Sequence, residues 1–175
     1  YYSQEYGIAI EDANVMVTTG GCIAMYLVLE AILDDGDEVI IHAPYFTPYK
    51  QQIELARGVP VELDTLEEEG FSVNASRLRD LITNRTKAIV VNTPCNPTGA
   101  CISRETMEEI RDIAREFDLL VIADDIYRSL SFQEPFEPFL RVNGLESTIT
   151  INSFSKDFVM TGWRVGYAAA PPEIA

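Results

Sequence analysis

Short apolar runs alternate along this chain with segments of helical period, and that alternation limits the possible folds more than any other feature. The candidate strands are "NVMVT" (14–18), "DEVIIH" (37–42), "VPVEL" (59–63), "KAIVVN" (87–92), "LLVIAD" (119–124), "STITIN" (147–152) and "RVGYAAA" (164–170). Helices are expected between them at 22–33, 48–57, 75–83 and 103–117. In the last, Ile110, Ile113, Ala114 and Phe117 recur on one face, while Glu108, Glu109, Arg111, Asp112 and Arg115 cover the other. Ser103 is the expected N-cap. The strands are nearly continuous in apolar residues, which suits burial on both faces of a sheet. Strands and helices in alternation give an α/β fold with a mostly parallel sheet. No internal repeat, low-complexity segment or interdomain linker interrupts the pattern. "EPFEPFL" (134–140) reads as a surface loop.

In such a sheet, ligands bind beyond the carboxyl ends of the strands. Five unusual clusters fall there: "TTGG", "APYF", "NTPCNPTG", "DDIY" and "SFSK". Each has an ordinary explanation, but five at one edge are harder to dismiss. Charge narrows the ligand. Aspartate and glutamate total 28 against 13 lysines and arginines, a net charge of -15. Bulk electrostatics then oppose binding to nucleic acid or an anionic membrane, yet permit a local anion site built from amides and a few cations. Cys22, Cys95 and Cys101 form no CxxC pair, so they read as packing thiols in a reducing, cytoplasmic compartment. A single His42 cannot anchor a histidine-rich metal site, and no metal is expected. No apolar run approaches the roughly 18 residues that span a bilayer, and no signal peptide is expected. A start at Tyr1 without methionine suggests a fragment.

The glycines of "TTGG" precede a helix and bring bare amides to its N-terminus, a phosphate-binding arrangement. A plain tight turn is the alternative; the stretch matches neither a P-loop nor GxGxxG. Asp124, ending a buried strand, can bind magnesium, hold a cationic ring nitrogen or cap a helix. Asn96, in the proline-rich "NTPCNPTG" loop, can donate its amide to an oxyanion. Lys156 follows a strand end, with Ser153 and Ser155 upstream and aromatic residues around it. Solvation is the ordinary fate of a lysine. A partly desolvated lysine becomes an amine nucleophile. Beside phosphate-binding amides, Schiff-base chemistry with pyridoxal phosphate is the economical reading.

"TTGG", "PYFTPY", "NTPCNPTG", "ADDIY" and "SFSKDFVMTGWRVGY" occur in the order that resembles class I/II aminotransferases, the fold-type I enzymes that use pyridoxal 5'-phosphate. The resemblance covers essentially the whole chain. It implies a three-layer α/β/α large domain with a mostly parallel, roughly seven-stranded sheet over residues 1–175. It further implies that Lys156 forms the internal aldimine and carries the proton between substrate and cofactor. By the same resemblance, Asp124 would pair with the pyridine nitrogen, which keeps the ring an electron acceptor. Tyr127 and Asn96 would reach the phenolic oxygen and Phe46 would stack on the ring. The amides of Gly21 and Cys22, the hydroxyls of Ser153 and Ser155, and Arg164 would hold the phosphate. The substrates would be an amino acid and a 2-oxo acid, and the full-length protein a homodimer.

The chain also departs from the pattern. Cys22, a weak donor, stands where serine or threonine is usual, and where some members acting on acidic substrates carry lysine. Asp125 replaces the usual glutamate. The family's N-terminal segment and C-terminal small domain, with its carboxylate-binding arginine, lie outside these residues; Tyr1 and Tyr2 look like the end of a helix that follows that segment. Three other readings stay open. One is a carbon–sulfur lyase or cyclopropane-forming synthase on the same scaffold, although such lyases tend to carry histidine in place of Tyr127. Another is a pyridoxal-phosphate sensor domain without catalysis, and the third a nucleotide hydrolase that uses Asp124 for magnesium.

Overall fold

Seven strands form one sheet: β1 (Val15–Thr18), β2 (Glu38–Ala43), β3 (Val59–Asp64), β4 (Thr86–Asn92), β5 (Leu120–Asp124), β6 (Thr148–Ser153) and β7 (Gly166–Ala169). A computed structural model describes residues 1–132 and 135–175. The strand order is β1-β7-β6-β5-β4-β2-β3. β7 runs antiparallel to both β1 and β6, and the remaining pairs are parallel. The helices are α1 (Tyr2–Tyr6), α2 (Gly21–Ile32), α3 (Pro48–Leu55), α4 (Ala75–Asp80), α5 (Arg104–Glu116), α6 (Phe139–Asn143) and α7 (Phe154–Asp157).

Side chains alternate across each strand, and that alternation divides the interior into two cores. Val39, Ile41, Val90, Ile122, Ile149 and Ile151 face α2 and α3. Ile40, Ile89, Val91, Val121 and Ala123 face α4, α5 and α6. The result is the three-layer α/β/α arrangement expected from the sequence. In α5 the Ser103 side chain accepts the Thr106 N–H at 3.1 Å, and Met107, Ile110, Ile113 and Ala114 are buried.

Several expectations need correction. Phe117 does not extend the buried stripe of α5. It sits at the C-cap, exposed, with the Arg79 guanidinium 5.5 Å from its ring centre. "EPFEPFL" is not simply a surface loop. Glu134 lies outside the described residues, but Phe139 and Leu140 are fully buried and open α6, because Pro138 suits a helix start and the second core needs a large side chain there. The last strand begins at Gly166 rather than Arg164, whose φ of 54° is left-handed and cannot continue a strand. Only Cys95 of the three cysteines is buried; Cys22 and Cys101 are exposed, so two do not serve as packing thiols.

Candidate active site

The parallel strands end at one edge, and the loops that leave them enclose a solvent-open cleft of about 740 Å³. Gly21, Cys22, Phe46, Asn96, Asp124, Tyr127, Ser153, Ser155, Lys156 and Arg164 all line it. Met25, Tyr49, Gln52, Asn92, Ile126 and Thr161, to which the sequence reading gave no role, complete the wall.

One end gathers backbone amides, two hydroxyls and a guanidinium. α2 starts at Gly21, and its first-turn amides at Gly21 and Cys22 have no intrahelical acceptor. Ser153 and Ser155 are buried, and Ser153 Oγ caps α7 by accepting the Ser155 N–H at 3.3 Å. Arg164 Nη1 donates to the Thr161 carbonyl at 3.1 Å and Nη2 to the Thr19 carbonyl at 3.4 Å, which hangs the guanidinium beside the glycine turn. A Cβ on Gly20 would lie 2.7 Å from Arg164 Nη2 and displace that flexible tip, while the Gly20 φ of 101° is what requires glycine. Although Cys22 is exposed as a residue, the cleft wall partly screens its sulfur from water; that desolvation, followed by the charge of Asp124, pushes the thiol up, so it stays a neutral, weak donor.

The floor is acidic. Asp124 is buried; its Oδ1 accepts the Ile126 N–H at 3.2 Å and its Oδ2 accepts the Tyr49 hydroxyl. Burial pushes the Asp124 carboxyl above the usual carboxylate range, while these two donors pull against it. Burial also drives the Tyr49 phenol well above its ordinary value, followed by the charge of Asp124, so Tyr49 remains a proton donor to the carboxylate. Phe46 packs edge-on to Tyr49, ring centres 5.6 Å apart.

Asn92 organises the third wall. Its Nδ2 donates to the Asp124 carbonyl at 3.0 Å and its Oδ1 accepts the Asn96 N–H at 2.8 Å. Its own N–H donates at 3.1 Å to Nε2 of buried His42, whose burial lowers its pKa to about 4. Asn96 Nδ2 in turn reaches the Tyr127 hydroxyl at 3.3 Å. Lys156, on α7, sits with Nζ 5.6 Å from the Tyr127 ring centre. Unlike the partly desolvated lysine expected, it is exposed, because the cleft opens to solvent at this end.

Tyr49 was within reach of the sequence, three residues after Phe46 in "PYFTPY". Asn92 carried a weaker signal, a polar residue closing an apolar run.

Known proteins share this architecture. The family description "Aminotransferase class I and II" matches residues 1–175. The aspartate/prephenate aminotransferase of Thermus thermophilus is 44% identical over 174 residues, 99% of this chain and 45% of that relative. The aspartate aminotransferase of Thermotoga maritima superposes with a TM-score of 0.96 at 35% identity, covering 98% of this chain and 46% of that one. An aromatic aminotransferase from Pyrococcus horikoshii gives 0.95 at 40% identity, over 99% and 47%. The chain therefore spans less than half the length of these relatives, and it belongs to the class I and II aminotransferase family.

Proposed function

We propose that residues 1–175 are the cofactor-binding large domain of a pyridoxal 5'-phosphate-dependent aminotransferase, a cytoplasmic homodimer when complete, that moves an amino group from an amino acid to a 2-oxo acid. The observation that carries this reading is one cleft with an anion cradle at one end, a buried carboxylate in its floor and a reachable amine. The residues fit the group. The glycine turn, which a Cβ would fill, suits a phosphate; Asp124 suits a protonated ring nitrogen; Phe46 offers a ring face. When bound, the cofactor supplies an aldehyde and an electron-accepting ring.

The chain's own groups divide the work. The Gly21 and Cys22 amides, the Ser153 and Ser155 hydroxyls and Arg164 would anchor the phosphate. Lys156 Nζ would be the amine that holds the aldehyde; once the substrate's own amine displaces it, the free Nζ would carry the proton to and from the substrate Cα. Asp124, held by Tyr49, would keep a proton on the ring nitrogen. Asn96 and Tyr127 would donate to the phenolic oxygen.

The test is spectroscopic. The intact protein with pyridoxal 5'-phosphate should show a visible band and a borohydride-trapped adduct, both lost in Lys156→Ala. Labelling at Lys50 or Lys87 instead would remove the assignment. Amino acids that bleach the band in the intact protein, with a 2-oxo acid restoring it, separate transamination from lyase chemistry and from mere sensing.

A further inference from the structure

Two side chains outside the cleft join the segments that carry Tyr127 and Lys156. Arg128 Nε donates to Asp157 Oδ2 at 2.7 Å, and the side chains are only 11% and 4% exposed. Neither lines the cleft, yet each follows a cleft residue directly in the chain. Successive helical side chains diverge by about 100°, so α7 can send Lys156 inward and Asp157 away. α7 is a single turn of four residues, too short to hold itself. Its backbone is tied by the Phe154 N–H to the Val165 carbonyl at 3.1 Å and by the Ser153 cap. Both ties sit at its start. The Arg128 link grips its far end, and the Tyr1 ring, 4.2 Å from the guanidinium carbon, backs that link.

We propose that Arg128 and Asp157 are a positioning pair that fixes the Lys156 amine relative to Tyr127 and cancels a buried charge beside it. The proposal rests on the reading of Lys156 given above. The balance of charge makes it specific. With Arg128 gone, the Asp157 carboxylate is left unpaired one residue from Lys156. With Asp157 gone, a buried guanidinium is left instead. These changes act on the amine with opposite signs. The other charged or titratable groups facing the pair are Asp125, Tyr1, Tyr2, Tyr6 and Tyr167. Those facing Lys156 within the cleft are Asp124, Tyr127, Cys22 and Arg164.

The experiment follows the visible band of the intact, cofactor-loaded protein against pH, together with kcat and KM. Arg128→Met should move the band's midpoint up and Asp157→Asn should move it down, each by about half a pH unit or more. Both should lower kcat about tenfold while KM stays within about twofold, the mark of lost alignment rather than lost binding. The double variant, with neither charge of the pair left, should return the midpoint toward wild type but keep the low kcat. Arg128→Lys keeps the charge but loses the Nε donor that reaches Asp157 Oδ2; it should hold the midpoint and lower kcat, and it decides the matter if Arg128→Met does not accumulate. Unmoved midpoints, midpoints moved in one direction by both single variants, or a wild-type kcat in Arg128→Lys would each overturn the pair's role. A wild-type protein with no visible band would instead overturn the reading of the cleft itself.

Discussion

Asp124 and Asp125 are neighbours in the chain with opposite surroundings. Asp124 points into the cleft and accepts two hydrogen bonds. Asp125 does not line the cleft, is 1% exposed, and neither of its oxygens has a hydrogen-bond partner among the described residues. Burial, then the charge of Asp124, pushes its carboxyl well above the usual range. Asp124→Asn should therefore cut kcat by about a hundredfold, as expected when a group stabilising developing charge is removed. Asp125→Asn should keep kcat within about threefold and leave urea stability equal or higher, since an amide carries no charge to bury. Equal losses from both, with magnesium-dependent activity, would favour the hydrolase reading. Tyr49→Phe keeps the contact with Phe46 and loses the hydroxyl; kcat should fall about tenfold, the scale of one hydrogen bond to a charged group. His42 tests the wall behind Asn92. Its pKa falls from the ordinary 6.5 to about 4 in the folded chain. The unfolded chain thus takes up the proton first, so stability present above pH 6.5 is lost as the pH falls toward 4. His42→Gln should remove this loss, narrowing the gap between wild type and variant by about 3 kcal/mol from pH 7.5 to pH 4 in urea titrations. The raised carboxyls act in the opposite sense in both proteins and cancel in the comparison.

At the scale of elements, the anion cradle depends on how closely β7 passes the start of α2. A Cβ on Gly166 would lie 2.5 Å from the Gly20 carbonyl carbon and 2.6 Å from the Gly21 nitrogen. Backbone stands on the far side of that contact, so no flexible side chain can give way. Gly166→Ala should push α2 off the sheet edge, lower stability by about 1–3 kcal/mol and speed cofactor loss on dialysis. Wild-type stability and retention in that variant would mean that the turn shifts freely. α6 and α7 went unread in the sequence for a related reason. Each is a turn or so long, and a periodicity argument needs a window of about 11 residues or more. The two prolines of "EPFEPFL" looked like loop punctuation, although one of them merely precedes α6. The longer helices and all seven strands were legible because their periods repeat.

For the whole molecule, the apolar surface is informative. Val17, Phe132, Val159 and Trp163 are each at least 73% exposed. Val159 and Trp163 flank the "TG" turn that follows Lys156, beside the open end of the cleft. We expect the Val159 and Trp163 side chains to be covered by further protein in the intact chain, since the relatives are more than twice as long. The isolated 1–175 polypeptide should bind an apolar dye, hold pyridoxal 5'-phosphate weakly and fail to convert it to pyridoxamine phosphate with an amino acid. The intact protein should be an active dimer. Conversion at the intact protein's rate by residues 1–175 would show that the remaining segments contribute little.

The order and kind of the main elements followed from the sequence alone, because hydrophobic period is a local property. So did the grouping of "TTGG", "NTPCNPTG", "DDIY" and "SFSK" at one edge, since parallel strands end on the same side. Three pairings did not follow: Tyr49 with Asp124, Arg128 with Asp157, and His42 with Asn92, separated by 75, 29 and 50 residues. Each depends on which strands lie side by side and in what register, with β5 between β4 and β6. Only the packed sheet, with α3 folded across its edge and α7 locked at its far end, decides which donor reaches which carboxylate.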